Sequence, residues 1–131
     1  MYSILTVGQD PILLSTRAAV LRTIKADVIA APSAGAMDLI QHNHFDAVVL
    51  CHTLSKAESS EIAEAARDRH EGVCVVQVVI GDASTCAYDE MPVHAVAEAN
   101  PGDLISKVSD LITQTQIHRA QMQQSSDSPR P

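Results

Sequence analysis

Residues Val73–Ile80 read VCVVQVVI, and no other stretch restricts the fold as tightly. Six of the eight are β-branched and only Gln77 is polar, which favours an extended strand over a helix. Successive side chains of a strand point to opposite faces, so a run without alternation is apolar on both. Such a strand has to be covered on both sides. Parallel sheets flanked by helices meet that demand, whereas half-solvated antiparallel sheets show alternation.

Shorter runs repeat the pattern. Ser3–Val7 (SILTV), Asp27–Ala31 (DVIAA) and the apolar part of Phe45–Ser55 (FDAVVLCHTLS) read as strands, and Val93–Ala97 as a weaker fifth. Helical spacing fills the intervals. Asp10-Pro11 supplies a cap and a proline at the first helical position. Behind it Leu13, Leu14, Ala18, Val20, Leu21 and Ile24 form one face, with Arg17, Arg22 and Lys25 elsewhere. Ser33 is expected to cap a second helix with Ala36, Met37, Leu39 and Ile40 inward. A third runs from about Glu58 to His70 on Ile62, Ala65 and Ala66. The last begins near Asp103, with Leu104, Ile105, Val108, Leu111 and Ile112 as its stripe.

Only Tyr2, Phe45 and Tyr88 are aromatic, so the core is built from aliphatic residues. Between Ile80 and Val93 lie the twelve residues GDASTCAYDEMP, barely enough for a crossover with its own helix. The fourth helix is therefore expected to be short or missing. Beyond about Ile117 the composition turns to Gln, Ser and Pro. The domain is placed at 1–116 and a disordered polar tail at 117–131.

The formal net charge of −7 is concentrated in residues 46–103, which carry eleven acids and three bases. No basic cluster exists to neutralise phosphates, which argues against direct nucleic-acid binding. The start, MYSILTVGQD, lacks a basic region ahead of a long apolar run, and nothing approaches a membrane span. Three cysteines without a CxxC fit neither a disulfide framework nor a zinc site. A cytoplasmic, reduced protein without a cofactor is expected.

Strands alternating with helices specify a parallel α/β sheet covered on both faces. With that pattern, ILTVGQDP, FDAVVLCHTLS and NPGDLISKVSDLI resemble, in position, the first strand and turn, the third strand, and the entry to the last helix of response-regulator receiver domains. The resemblance covers about Ser3 to Thr113. It implies a flavodoxin-like, receiver-like five-stranded sheet in the order 2-1-3-4-5.

Receivers transfer a phosphoryl group to an aspartate ending the third strand. An acidic pair after the first strand holds Mg²⁺, with a hydroxyl after the fourth strand and a lysine after the fifth. Here the acidic pair falls on Gly8 and Gln9, the acceptor on Cys51, the hydroxyl position near Gly81, and the lysine on Ala97. Ser84 and Thr85 come a little late, and Asp10 is better placed as a helix cap. The resemblance therefore implies a degenerate member: no enzyme, no metal, and a signalling or scaffold module working through a protein partner, with a homodimer as a further candidate.

Cys51-His52 leaves alternatives open. Cys51 serves as a small buried hydrophobe, or as a thiol sensor beside His52 with Cys86 as partner, or as a nucleophile, for which no aligned base is evident. Cys74, at the far end of its strand, is out of reach of Cys51. A small ligand in the emptied pocket and an atypical phosphorelay receiver remain rival readings. His42 and His44 do not share a helix face, and Asp82, Asp89 and Glu90, near the same sheet edge, read as a solvated acidic loop before a cation site. A GxGxxG fingerprint is absent, and Pro11 starts a helix where an FMN phosphate loop would lie.

Overall fold

The computed structural model describes residues 2–69, 72–79, 95–98 and 100–127. Five parallel strands form one sheet: β1 Ser3–Val7, β2 Asp27–Ala31, β3 Ala47–Leu50, β4 Cys74–Val79 and β5 Ala95–Glu98. Their order, β2-β1-β3-β4-β5, is the one expected. The helices are α1 Pro11–Arg22, α2 Ser33–His42, α3 Lys56–Arg69 and α4 Pro101–Asp127. The stretch between β4 and β5, where a short or missing helix was expected, lies outside the described residues.

Strand alternation sorts the core into two layers. Ile4, Ala47, Val49, Cys74, Val76, Val78 and Ala97 pack with Ala18, Leu21, Leu104, Val108 and Ile112 of α1 and α4. Leu5, Val7, Val48, Leu50 and Val75 face Ala36, Ile40, Ile62, Ala63 and Ala66 of α2 and α3. Every residue of β3 and β4 is buried, as VCVVQVVI requires. Each such valine contributes about 1.5–3 kcal/mol relative to exposure.

Local chemistry sets the ends. Asp10 Oδ1 accepts from the backbone N–H groups of Ile12 (2.9 Å) and Leu13 (3.4 Å), with Pro11 at the first helical position. Three expectations are corrected. Ser33 is the first residue of α2 rather than its cap; Pro32 takes the cap position, without a side-chain bond. The third helix starts at Lys56, earlier than Glu58, because Ser55 and Glu58 form a reciprocal capping box: Ser55 N donates to Glu58 Oε1 (3.0 Å) and Glu58 N to Ser55 Oγ (3.1 Å). Its inward alanines are Ala63 and Ala66, with Ala65 only half-buried.

The fourth difference matters most for the site. Arg17, assigned by sequence to the outer side of α1, is buried at 8% exposure. It sits with Leu14, Ala18 and Leu21 at the three-and-four spacing that defines the inner stripe. At the far end, α4 is helical to Asp127, ten residues past the point where the composition turns polar. Gln and Ser are tolerated in helices and no proline follows Pro101 until Pro129, so the backbone meets no local stop. The expected boundary at 116/117 is not marked by a helix end.

Candidate functional site

In a parallel sheet ligands bind beyond the carboxyl ends of the strands where strand order reverses. Here that point lies between β1 and β3, and the residues following them are Gly8 and Cys51. Cys51 N donates to Val7 O (2.8 Å) and Gly8 N to Ala31 O (3.2 Å), so both continue the sheet's bonding by one step.

The two residues are packed against each other. A Cβ added at Gly8 would meet Cys51 Cβ at 3.0 Å, Thr53 Oγ1 at 3.0 Å and Cys51 Sγ at 3.3 Å. The glycine is required for space here rather than for a special backbone angle. Cys51 is 1% exposed and its Sγ lies 3.7 Å from the Thr6 hydroxyl on the same face of β1. On its Cys51 side Gly8 is thus closed in by side chains of the chain itself, while an open cleft of about 370 Å³ between α1 and β2 is lined by Gly8 and Gln9.

Gln9 turns away from that contact. Its backbone N–H donates to Thr53 Oγ1 (2.9 Å), and its Nε2 donates to Ser33 Oγ (2.6 Å) and Glu58 Oε2 (2.8 Å). Ser33 Oγ donates to the same carboxylate oxygen at 2.9 Å. One amide thereby ties the end of β1 to the starts of α2 and α3. Hydrogen bonds from the Ser55 backbone, then from Ser33, Ser55 and Gln9 side chains, hold the Glu58 carboxyl below its ordinary range. Sequence reasoning missed Glu58, although the Ser55-x-x-Glu58 spacing was its signal.

His52 also has a partner that the sequence did not reveal. Arg17 Nη2 donates to His52 Nδ1 at 3.0 Å. An arginine is only a donor, so Nδ1 is the accepting nitrogen and the ring is neutral with its proton on Nε2. Burial lowers the His52 pKa first, the Arg17 charge lowers it further, and Asp10 opposes both. The lone pair a base needs is therefore occupied by a guanidinium. Nothing aims it at Cys51.

Ala97, at the position of the receiver lysine, is fully buried in β5 and paired with Val78. The positive charge beside His52 comes instead from α1. Gly81 and Cys86 lie outside the described residues, as do Ser84, Thr85, Asp82, Asp89 and Glu90. Cys74 is level with Ala47 at the opening of β3, four residues of strand, or about 13 Å, from the level of Cys51.

A Mg²⁺ ion demands hard oxygen ligands in near-octahedral array. Gly8 offers none, the Gln9 amide is tied down, and the Asp10 carboxylate caps α1. The residues present do not fit that metal. Among the described residues no three His, Cys, Asp or Glu side chains gather to hold a cation.

This parallel sheet, in the order β2-β1-β3-β4-β5 with paired helices on each face, has the CheY-like, flavodoxin-like fold. Solved structures agree. A response regulator receiver protein from Sinorhizobium medicae superposes with a TM-score of 0.74 at 22% identity, over 87% of this chain and 96% of that one. A CheY-like receiver domain protein from Methanospirillum hungatei gives 0.75 at 20%, over 90% and 98%. The receiver domain of a sensor histidine kinase from Pseudomonas aeruginosa, whose active-site cleft coordinates a magnesium ion, gives 0.69 at 15%, over 86% and 98%. No protein-family model matches the sequence, and no curated protein matches it.

Proposed function

We propose that the chain is a receiver-like signalling module that does not accept a phosphoryl group and acts through contacts with a protein partner. The observation that carries this reading is the packing of Gly8 on Cys51. The acceptor position holds a buried thiol, and a Cβ at the place of a metal-binding acid would lie 3.0 Å from Cys51 Cβ and Thr53 Oγ1, tighter than ordinary contact. Restoring an acid at position 8 would require Cys51 or Thr53 to move. Ala97 adds to the case, since no cation stands at the lysine position to hold a transferred phosphoryl group.

The thiol-sensor reading finds less support. Cys51 is shielded from oxidants, and His52, its sequence neighbour, is held neutral by Arg17, which removes the imidazolium that would activate a thiolate. Among the described residues no helix is long and apolar enough to cross a membrane. The partner is proposed to be another protein, with a second copy of this chain as the alternative.

Intact mass after incubation with Mg²⁺ and acetyl phosphate tests the reading. An unchanged mass is expected. A stoichiometric phosphoryl adduct would overturn it and return the chain to phosphorelay chemistry.

A further inference from the structure

β2 is an outer strand of the sheet, paired with β1 on one side and with no strand on the other. Its backbone bonds show which groups face out. Asp27 N donates to Tyr2 O (2.7 Å) and Ala31 O accepts from Gly8 N (3.2 Å), so Asp27, Ile29 and Ala31 turn their polar groups toward β1. Alternation then turns those of Val28 and Ala30 outward. Arg22 agrees with this: its Nη2 reaches over from α1 and donates to Val28 O at 3.1 Å. Val28 is 5% exposed beneath it, whereas Ala30 and Arg22 are exposed. No lysine, proline or bulge blunts the strand between Val28 and Ala30.

The side chains along this edge match a copy of themselves. Ile29, at 36% exposure, is a large apolar residue left in solvent. It lies on the α2 side of the sheet, because Ala31 packs in that layer and Val28 in the other. On the α1 side the open cleft of about 370 Å³ runs beside the strand, with Ser15, Ala18 and Ala30 among its lining. Those small side chains leave room for a neighbouring strand.

We propose that β2 pairs edge to edge, antiparallel, with β2 of a second copy of this chain, about a two-fold axis at Ile29. Val28 of each copy then faces Ala30 of the other, each pair exchanging both of its N–H···O bonds. Arg22 withdraws from Val28 O as the ladder forms. Ile29 meets its counterpart at the non-bonded position, where Cα atoms lie about 4.5 Å apart and side chains approach most closely. Asp27 falls opposite Ala31, so no like charges meet. Large against large on one face and Val28 against small Ala30 on the other single out a second copy over an unrelated strand. The inference names a surface for the second-copy alternative above. It holds whether or not the chain accepts a phosphoryl group, so the mass measurement and the oligomeric state can fail separately.

The five residues of β2 are few for an interface, whose standard size is roughly 800 Å² per partner, so the Kd is expected on the order of 100 μM. The test is sedimentation velocity of the full chain at concentrations spanning that value, where the mass is expected to rise from monomer toward dimer. Ile29→Lys, at an exposed site, is expected to keep the urea midpoint and weaken association more than about tenfold. Arg22→Ala is expected to tighten it by roughly two- to tenfold, the net worth of the bond no longer given up. Ile29→Cys is expected to cross-link with oxidised glutathione above the parent chain's background, since the two positions lie within disulfide range across the axis. Ile12→Cys, 77% exposed and opposite the inward stripe of α1, is expected not to. A monomer at every concentration would overturn the proposal and leave the edge to a strand of another protein. So would undiminished association of Ile29→Lys, an untightened Arg22→Ala dimer, or cross-linking of Ile12→Cys equal to that of Ile29→Cys.

Discussion

Replacing Gly8 by alanine isolates the contact on which the functional reading turns. The added methyl would lie 3.0 Å from Cys51 Cβ and from Thr53 Oγ1, against an ordinary contact of about 3.4–4 Å. Cys51 is fixed in the sheet by its bond to Val7, and Thr53 Oγ1 is engaged by Gln9 N, so neither yields freely. Overpacking of this kind costs about 1–3 kcal/mol. Loss of unfolded-state freedom returns roughly 0.4–1 kcal/mol, because the Gly8 backbone needs no positive φ. The net expectation is a destabilisation of about 1–2 kcal/mol, read as a lower urea midpoint at unchanged slope. At this chain length the thermal midpoint should fall by roughly 3–8 °C.

Gly35→Ala is the internal control. It lies in α2, and a Cβ there meets nothing within 4 Å. It should stabilise by about 0.5–1 kcal/mol through helix propensity. Opposite signs for the two substitutions would locate the effect in the Gly8–Cys51 contact. A Gly8→Ala protein as stable as the parent would refute the close packing, and with it the argument that an acid at position 8 would crowd Cys51 and Thr53.

Two further outcomes follow from the geometry. The folded-state pKa of His52 lies below its ordinary 6.5, so the unfolded chain binds more protons there as pH falls. The stability due to its neutral ring is fully present above that value and is lost as pH drops toward the folded pKa; His52→Asn, which keeps an acceptor for Arg17 without a titration, should show a shallower decline in urea midpoint between about pH 7 and 5, and an identical decline would contradict the assignment. Lys25 holds φ at 60°, a left-handed angle that costs a side chain about 1 kcal/mol, so Lys25→Gly should raise the midpoint by a similar amount; a fall would show that the lysine side chain supplies more than the backbone loses.

The layered sheet was legible because its cause is local. The unbroken apolar runs of β1, β3 and β4, buried on both faces, and the Asp10-Pro11 start are written in adjacent residues. What escaped was written across distance or against residue type. Arg17 falls on the inward stripe by spacing, but its charge argued for the outside, and its partner His52 is 35 residues away. Ser33 looked like a cap because capping is what serine does before a helix. Its hydroxyl instead serves Glu58 from another element, which only the fold brings near. The filling of the Gly8–Cys51 contact was equally hidden, since a glycine's lack of room is a property of its neighbours.

The parallel register has a kinetic consequence. Ser3 pairs with Asp27, Ile4 with Ala47, Ala47 with Cys74 and Val76 with Ala95, so every ladder closes a loop of roughly 20 to 40 residues and none is a hairpin. The entropy of closure precedes any reward from pairing, which places such chains among the slower folders of their size. During that interval β4, with every side chain destined for the interior, presents its valines and unpaired backbone together. The strand that most firmly dictates the architecture is thus also the segment most prone to associate with other chains before the architecture exists.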